Sequence, residues 1–173
     1  MEETKLKIYK FGDDILKLKA KEIKDLNGAI AQLIERMLYT LHNTTNAIGL
    51  AAPQVGESLR LSVIDLSAAE KPSEHLVLIN PEILDGEGSE IGNEGCLSFP
   101  GITANINRSK KIYLRNYDLK GKESRKEIDG YLARVIQHEI DHLDGNLIID
   151  RVSPLKRQFM RKEIRRLQKE GEW

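Results

Sequence analysis

The chain has 173 residues, with 27 basic and 27 acidic side chains and no formal net charge, which suits a single domain over 1–173 and offers no global field to draw in DNA or a membrane surface. The opening MEETKLKIYK lacks the basic-then-apolar layout of a secretion signal, and no apolar run is long enough to span a bilayer. Cys96 is the only cysteine, so an internal disulfide is excluded and a reducing compartment, the cytoplasm, is expected.

Ile30, Leu33, Ile34, Met37, Leu38 and Leu41 recur at helical spacing and predict an amphipathic helix over 25–42. A Gly/Ala/Pro-rich segment, 43–58, precedes two predicted strands, Leu59 to Leu66 and Leu76 to Ile79, the second closed by Asn80-Pro81. A loop rich in glycine and acid (85–95) then leads to Cys96. Residues 110–118 and 122–128 flank Lys120-Gly121 and predict a β-hairpin. A helix follows from Gly130 to Leu143 and is stopped by Asp144-Gly145. Ser153 as N-cap and Pro154 at the first helical position start a last helix over 154–170, with Leu155, Phe159, Ile164 and Leu167 as its core-facing stripe. The sum is an α+β fold: antiparallel strands and a β-hairpin wrapped around a central helix, with an N-terminal amphipathic helix and a basic C-terminal one.

The central helix carries His138-Glu139-Ile140-Asp141-His142, an HExxH pattern. Residues four apart share a helix face, so two imidazoles can reach one ion while Glu139 reaches a water beside it. Tyr131, Leu132, Val135, Ile136, Ile140 and Leu143 keep helical spacing around the motif and argue for a buried helix. A third ligand is still needed. A third histidine at the end of HExxHxxGxxH is excluded, because Ile148 stands there. Glu163, in MRKEIRRLQK, has sufficient reason to exist in pairing with neighbouring Arg and Lys. Cys96 follows a glycine that permits close backbone approach, and it reads as a buried small hydrophobe, a nucleophile or a ligand. A Cys-His-His site with water in the fourth place accounts for every unusual residue at once.

Three blocks now combine: Ala47-Ile48-Gly49-Leu50-Ala51-Ala52-Pro53-Gln54, Glu94-Gly95-Cys96-Leu97-Ser98 and Gln137-His138-Glu139-Ile140-Asp141-His142-Leu143. In that order they resemble the peptide deformylase family, as do the hairpin before the helix and the Ser-Pro-Leu-Lys-Arg run after it. The resemblance implies hydrolysis of the N-formyl group from the methionine that begins newly made bacterial or organellar polypeptides, releasing formate, in the cytoplasm or an organellar matrix or stroma. It implies one divalent ion on Cys96, His138 and His142, with Fe(II) favoured and zinc, nickel or cobalt suited to the same donors. Glu139 is then general base and acid, and the Gln54 side-chain amide and Leu97 N–H stabilise the developing oxyanion. Ile48 and Gly49 would pair with an extended peptide, and Tyr131 and Val135 would line the methionine pocket. Ala47 replaces a family glycine; it is tolerated if φ there is negative and strained by roughly 1 kcal/mol or more if positive.

Two competing readings remain: a zinc endopeptidase with Glu163 or Asp150 as third ligand, and a metal-stabilised binding protein without catalysis. The last helix holds seven Lys or Arg against one Glu over 155–169. Its basic face is either solvated or a contact with ribosomal RNA near emerging nascent chains. His42, ending the first helix, and His75, in a polar loop, have no ligand spacing and are read as structural or solvated.

Overall fold

The computed structural model describes residues 4–67 and 75–173. Helix α1 spans Gly28–His42, and it begins three residues later than expected because Asn27 is its cap. Extended backbone at Asn27 lets the side-chain oxygen accept from Ala29 N–H and Ile30 N–H at 3.0 and 3.3 Å. Ile34, Met37 and Leu41 then face a core shared with Leu50, Leu61 and Val63.

Strands β1 (Gly49–Ala51), β2 (Leu61–Ile64), β3 (Leu76–Glu87), β6 (Lys111–Tyr117) and β7 (Glu123–Asp129) form one antiparallel sheet in the order β1-β2-β3-β6-β7. Strands β4 (Glu90–Gly95) and β5 (Thr103–Arg108) form a separate two-stranded ribbon. The β6–β7 hairpin is as expected, its turn tied by Asp118 Oδ1, which accepts from Lys120 and Lys122 N–H at 2.8 and 2.9 Å.

Two expectations are corrected here. Asn80-Pro81 does not close β3, which runs on to Glu87. The pairing with β6 shifts register between Ile79 and Glu82, so proline sits where no ladder donor is required. Asn80, at φ 47°, binds Ile23 twice through its side chain, accepting from N–H at 2.9 Å and donating to C=O at 2.8 Å. The expected acidic loop over 85–95 is mostly strand, the ends of β3 and all of β4, broken only at Gly88-Ser89. Charge and glycine disguised it, because its outward positions face solvent and its backbone bonds come from distant β5 and β6.

Helix α2 (Gly130–Leu143) lies across the large sheet, and Ala133, Ile136 and Ile140 pack on Ile64, Leu78, Ile112 and Leu114. It ends at Gly145, whose φ is +74° and where a Cβ would sit 2.5 Å from Lys17 O. Gly145→Ala is expected to lose about 2 kcal/mol or more of stability by urea unfolding, since both conformation and space oppose a side chain.

Helix α3 (Pro154–Glu170) starts as expected, with Ser153 Oγ accepting from Lys156 N–H at 3.3 Å. Its stripe follows the expectation at Ile164 and Leu167 but not at Leu155 and Phe159. Met160, Ile164 and Leu167 are buried against Phe99, Ile106 and Ile148, while Leu155 and Phe159 are 63% and 60% exposed. The apolar spacing admits two overlapping stripes, and packing selected the one that meets the ribbon. No helix among the described residues is long and apolar enough to cross a membrane.

Candidate metal centre

Cys96 follows β4 directly and begins a tight turn in which Phe99 N–H donates to Cys96 C=O at 2.8 Å. His138 and His142 project from one face of α2 with ring centroids 5.1 Å apart. One potential ligand atom from each of Cys96, His138 and His142 lies within 4.8 Å of the others, and Cys96 Sγ is 3.2 Å from His142 Nε2. Burial pushes the Cys96 thiol up, yet the charges and hydrogen bonds of His142 and His138 outweigh it and bring its pKa to about 5. Burial likewise opposes a charged His138, but hydrogen bonds to Cys96 and Glu94 raise its pKa well above the ordinary value. A thiolate facing two imidazoles is the donor set that a divalent ion takes up with release of protons.

Glu139 is 3% exposed, and its Oε2 is buried without a hydrogen-bond partner among the described residues. Burial raises its pKa to about 7, against the lowering pull of His138 and His142. Room for the carboxylate comes from Gly49, where a Cβ would stand 2.2 Å from Glu139 Oε1. An orphaned carboxylate oxygen beside three convergent ligand residues fits a centre that holds a cation and works on a polar substrate.

Gln54 is 2% exposed, which removes the solvated-turn role that proline before it would otherwise suggest. Its Oε1 accepts from Ala51 N–H at 2.9 Å, so Nε2 is turned to Ser98 Oγ at 3.1 Å and Cys96 Sγ at 3.6 Å. Leu97 sits in the turn after Cys96, and its N–H has no acceptor among the described residues. Tyr131 is 42% exposed on the first turn of α2, whereas Val135 is buried in the core cluster against which Ile48 and Leu132 also pack. His42 Nε2 lies 2.8 Å from Asp65 Oδ2, and His75 is exposed.

Sequence reasoning gave no role to the charged groups behind the ligands. Glu94 uses all four acceptor positions of its carboxylate. Oε1 accepts from Arg108 Nε at 3.0 Å and Arg134 Nη1 at 2.8 Å; Oε2 accepts from Arg108 Nη2 at 2.9 Å and His138 Nδ1 at 3.0 Å. Burial opposes its ionisation, yet hydrogen bonds from His138 and Arg108 outweigh that and hold its pKa at about 2. His138 therefore points Nδ1–H at a fixed anion and keeps Nε2 as the nitrogen available to an ion. Arg108 Nη1 also donates to Asp141 Oδ2 at 2.5 Å, and Arg151 clamps Asp141 from the other side. Two signals could have found this network. Strand alternation puts Arg108 inward with Ala104 and Ile106, and Arg134 lies one turn before His138 on α2.

The alternative third ligands do not join the site. Glu163 is exposed on α3 and paired with Arg166 at 2.7 Å, and Asp150 Oδ2 accepts from Leu147 N–H at 3.1 Å. Among the described residues the Cys96, His138 and His142 group is the one found with ligand convergence of this kind.

An α+β fold that brings a cysteine and an HExxH helix to one ion-sized focus, with a buried carboxylate beside it, defines a metal-dependent hydrolase. The family model for polypeptide deformylase matches residues 5–158. Peptide deformylase of Thermodesulfovibrio yellowstonii is 49% identical over 160 residues, covering 92% of this chain and 96% of that one. Peptide deformylase of Endomicrobium trichonymphae is 43% identical over 170 residues, covering 98% and 99%. Among solved structures, peptide deformylase from Thermus thermophilus aligns with TM-score 0.86 at 40% identity over 96% of this chain and 99% of that one. A plant peptide deformylase aligns with TM-score 0.89 at 34% identity over 99% and 94%. The chain belongs to the peptide deformylase family.

The departure at Ala47 is harmless to the backbone. Among the described residues, the non-glycine positions with positive φ are Asn46 and Asn80, so Ala47 keeps negative φ and packs into the core beside α1.

Proposed function

We propose that Cys96, His138 and His142 hold one divalent ion, around which the chain removes the formyl group from the N-terminal methionine of newly made polypeptides, releasing formate. The observation that carries this reading is the convergence of those three ligands with Gln54 Nε2. We favour Fe(II), with zinc, nickel or cobalt also suited to a thiolate–imidazole set. When bound, the ion supplies Lewis acidity, lowering the pKa of water and polarising the formyl carbonyl.

Glu139 takes the proton of the attacking water and delivers it to the amine nitrogen as the C–N bond of the formamide breaks. Its burial suits this, because burial raises the carboxylate's pKa and makes it a stronger base than it would be if exposed. Gln54 Nε2 and Leu97 N–H donate to the formyl oxygen as negative charge grows there. Gln54 arrives already oriented, since its own oxygen is held by Ala51 N–H. The peptide lies extended along β1 at Ile48 and Gly49, because β1 is an edge strand with β2 on one side only. Its methionine side chain packs toward Ile48, Tyr131 and Val135.

Formate release from a formyl-Met peptide, with anaerobically prepared Fe(II) or Ni(II) protein, tests the reading. Turnover supports it, and silence with the metal verified in place rejects it. Gly49→Ala is expected to lower turnover about 100-fold with metal content unchanged, because the new methyl displaces the Glu139 carboxylate.

For the partner, the exposed Lys162, Arg165 and Lys169 of α3 support contact with ribosomal RNA. Deleting α3 is a poor test, since Met160, Ile164 and Leu167 belong to the core. Reversing those three exposed charges to Glu is expected to weaken ribosome co-sedimentation, and unchanged co-sedimentation would discard the contact.

A further inference from the structure

The ligands of the metal centre come from two separate elements: Cys96 from the end of β4, and His138 and His142 from α2. The chain between them is too long to fix their separation. The Glu94–His138 and Arg108–Asp141 bonds bridge that gap, and from α2 one further buried side chain reaches both strands of the ribbon. Arg134, one turn before His138, donates from Nη1 to Glu94 Oε1 at 2.8 Å and to Ile106 C=O at 3.0 Å, and from Nη2 to Glu90 C=O at 2.7 Å. The guanidinium thus reaches β4 twice and β5 once.

It fits because residue 92 has no side chain. A Cβ on Gly92 would stand 2.7 Å from Arg134 Cζ, 2.9 Å from Nε and 3.0 Å from Nη2. Gly92 is not among the glycines with positive φ, so space, and no special backbone conformation, is what the position requires. The tip of an arginine is ordinarily free to move aside, but here three hydrogen bonds hold it in place.

We infer that Arg134, seated on Gly92, is a positioning residue for the metal centre: a strut that sets the distance between Cys96 and the two histidines. The inference rests on the metal-centre reading above. Arg108 keeps both oxygens of Glu94 paired without Arg134. Removing Arg134 therefore loosens geometry without stranding the Glu94 charge. Outer residues that orient metal ligands are worth about 10- to 100-fold in metal affinity.

The test is Co(II) titration of metal-free protein against a competing chelator, with the thiolate-to-Co(II) and ligand-field absorption recorded at saturation. Arg134→Met and Gly92→Ala are expected each to weaken Co(II) binding about 10- to 100-fold and to shift the ligand-field bands. Arg134→Lys, which keeps the charge on a slightly shorter stem and loses the planar fork, is expected to recover part of the affinity. KM for a formyl-Met peptide at saturating metal should stay within about twofold, as Arg134 is placed to hold ligands and not peptide. Wild-type affinity and spectrum in both variants would overturn the inference. So would loss in Arg134→Met with wild-type behaviour in Gly92→Ala, since both substitutions act on one contact. A wild-type chain that bound no Co(II) would overturn the metal-centre reading together with it.

Discussion

Glu139→Gln is expected to keep its metal and lose formate release by about 10²- to 10⁴-fold in kcat, the range in which a positioned general acid–base contributes. The amide matches the carboxylate in shape, so Gly49 still accommodates it and the peptide still binds. Loss confined to KM would contradict the role. The pH profile supplies a second readout. In the proposed role Glu139 accepts a proton only when ionised; burial raises its pKa to about 7 without the ion and a bound cation lowers it, so wild-type kcat/KM of the metal-loaded enzyme should rise with pH along a limb lying below 7. Stability carries the opposite sign. A folded-state pKa raised above the unfolded one gives stability that is present at acid pH and lost as pH rises through about 7. Metal-free wild type should therefore weaken over that interval by more than metal-free Glu139→Gln, in urea unfolding at a series of pH values.

Arg108→Met is expected to destabilise the fold by about 3–5 kcal/mol, because it leaves Glu94 and Asp141, both buried, without their shared partner. Each retains one other arginine, Arg134 and Arg151 respectively, so the protein should weaken without losing its structure altogether. Arg108→Lys should recover little, as one ammonium cannot donate in parallel to Glu94 and also reach Asp141. Acid titration separates this from a general packing defect. The Glu94 pKa is depressed to about 2, so its stabilisation is full above the ordinary carboxylate range and is lost as pH falls toward that value. In Arg108→Met the acid transition should move to higher pH. An unmoved transition, with equal loss at every pH, would assign the effect to packing alone.

The parts of this protein legible in its sequence are those whose cause is local. His138, Glu139 and His142 lie within one and a half turns, so a face of α2 can be drawn from five residues. The β6–β7 turn is written in Asp118 and Gly121, and the start of α3 in Ser153 and Pro154. Cys96 was reachable by elimination and by the resemblance of its neighbours, because few residues here compete as a third ligand. The Gly88-Ser89 region misled for a local reason too: charge and glycine signal a loop unless the pairing strands are known.

Charge burial is where local reading stopped. Glu94 meets Arg108 14 residues away, Arg134 40 away and His138 44 away. In sequence only His138 stands out, as part of HExxH; nothing local marks Glu94, Arg108 and Arg134 as its buried partners. Asn80 at positive φ is held by Ile23, 57 positions earlier. That Met160, and neither Leu155 nor Phe159, joins Ile164 and Leu167 in the core was likewise decided by Phe99, Ile106 and Ile148. By itself, then, the sequence determined the helix that presents two imidazoles and a carboxylate, the single thiol available to join them, and the hairpin and caps around them. Only the tertiary structure decided which charges are buried to hold that helix against the β4–β5 ribbon. Hydrogen-bonding periodicity is settled within a few residues, whereas a buried charge is tolerable only when distant partners arrive to neutralise it.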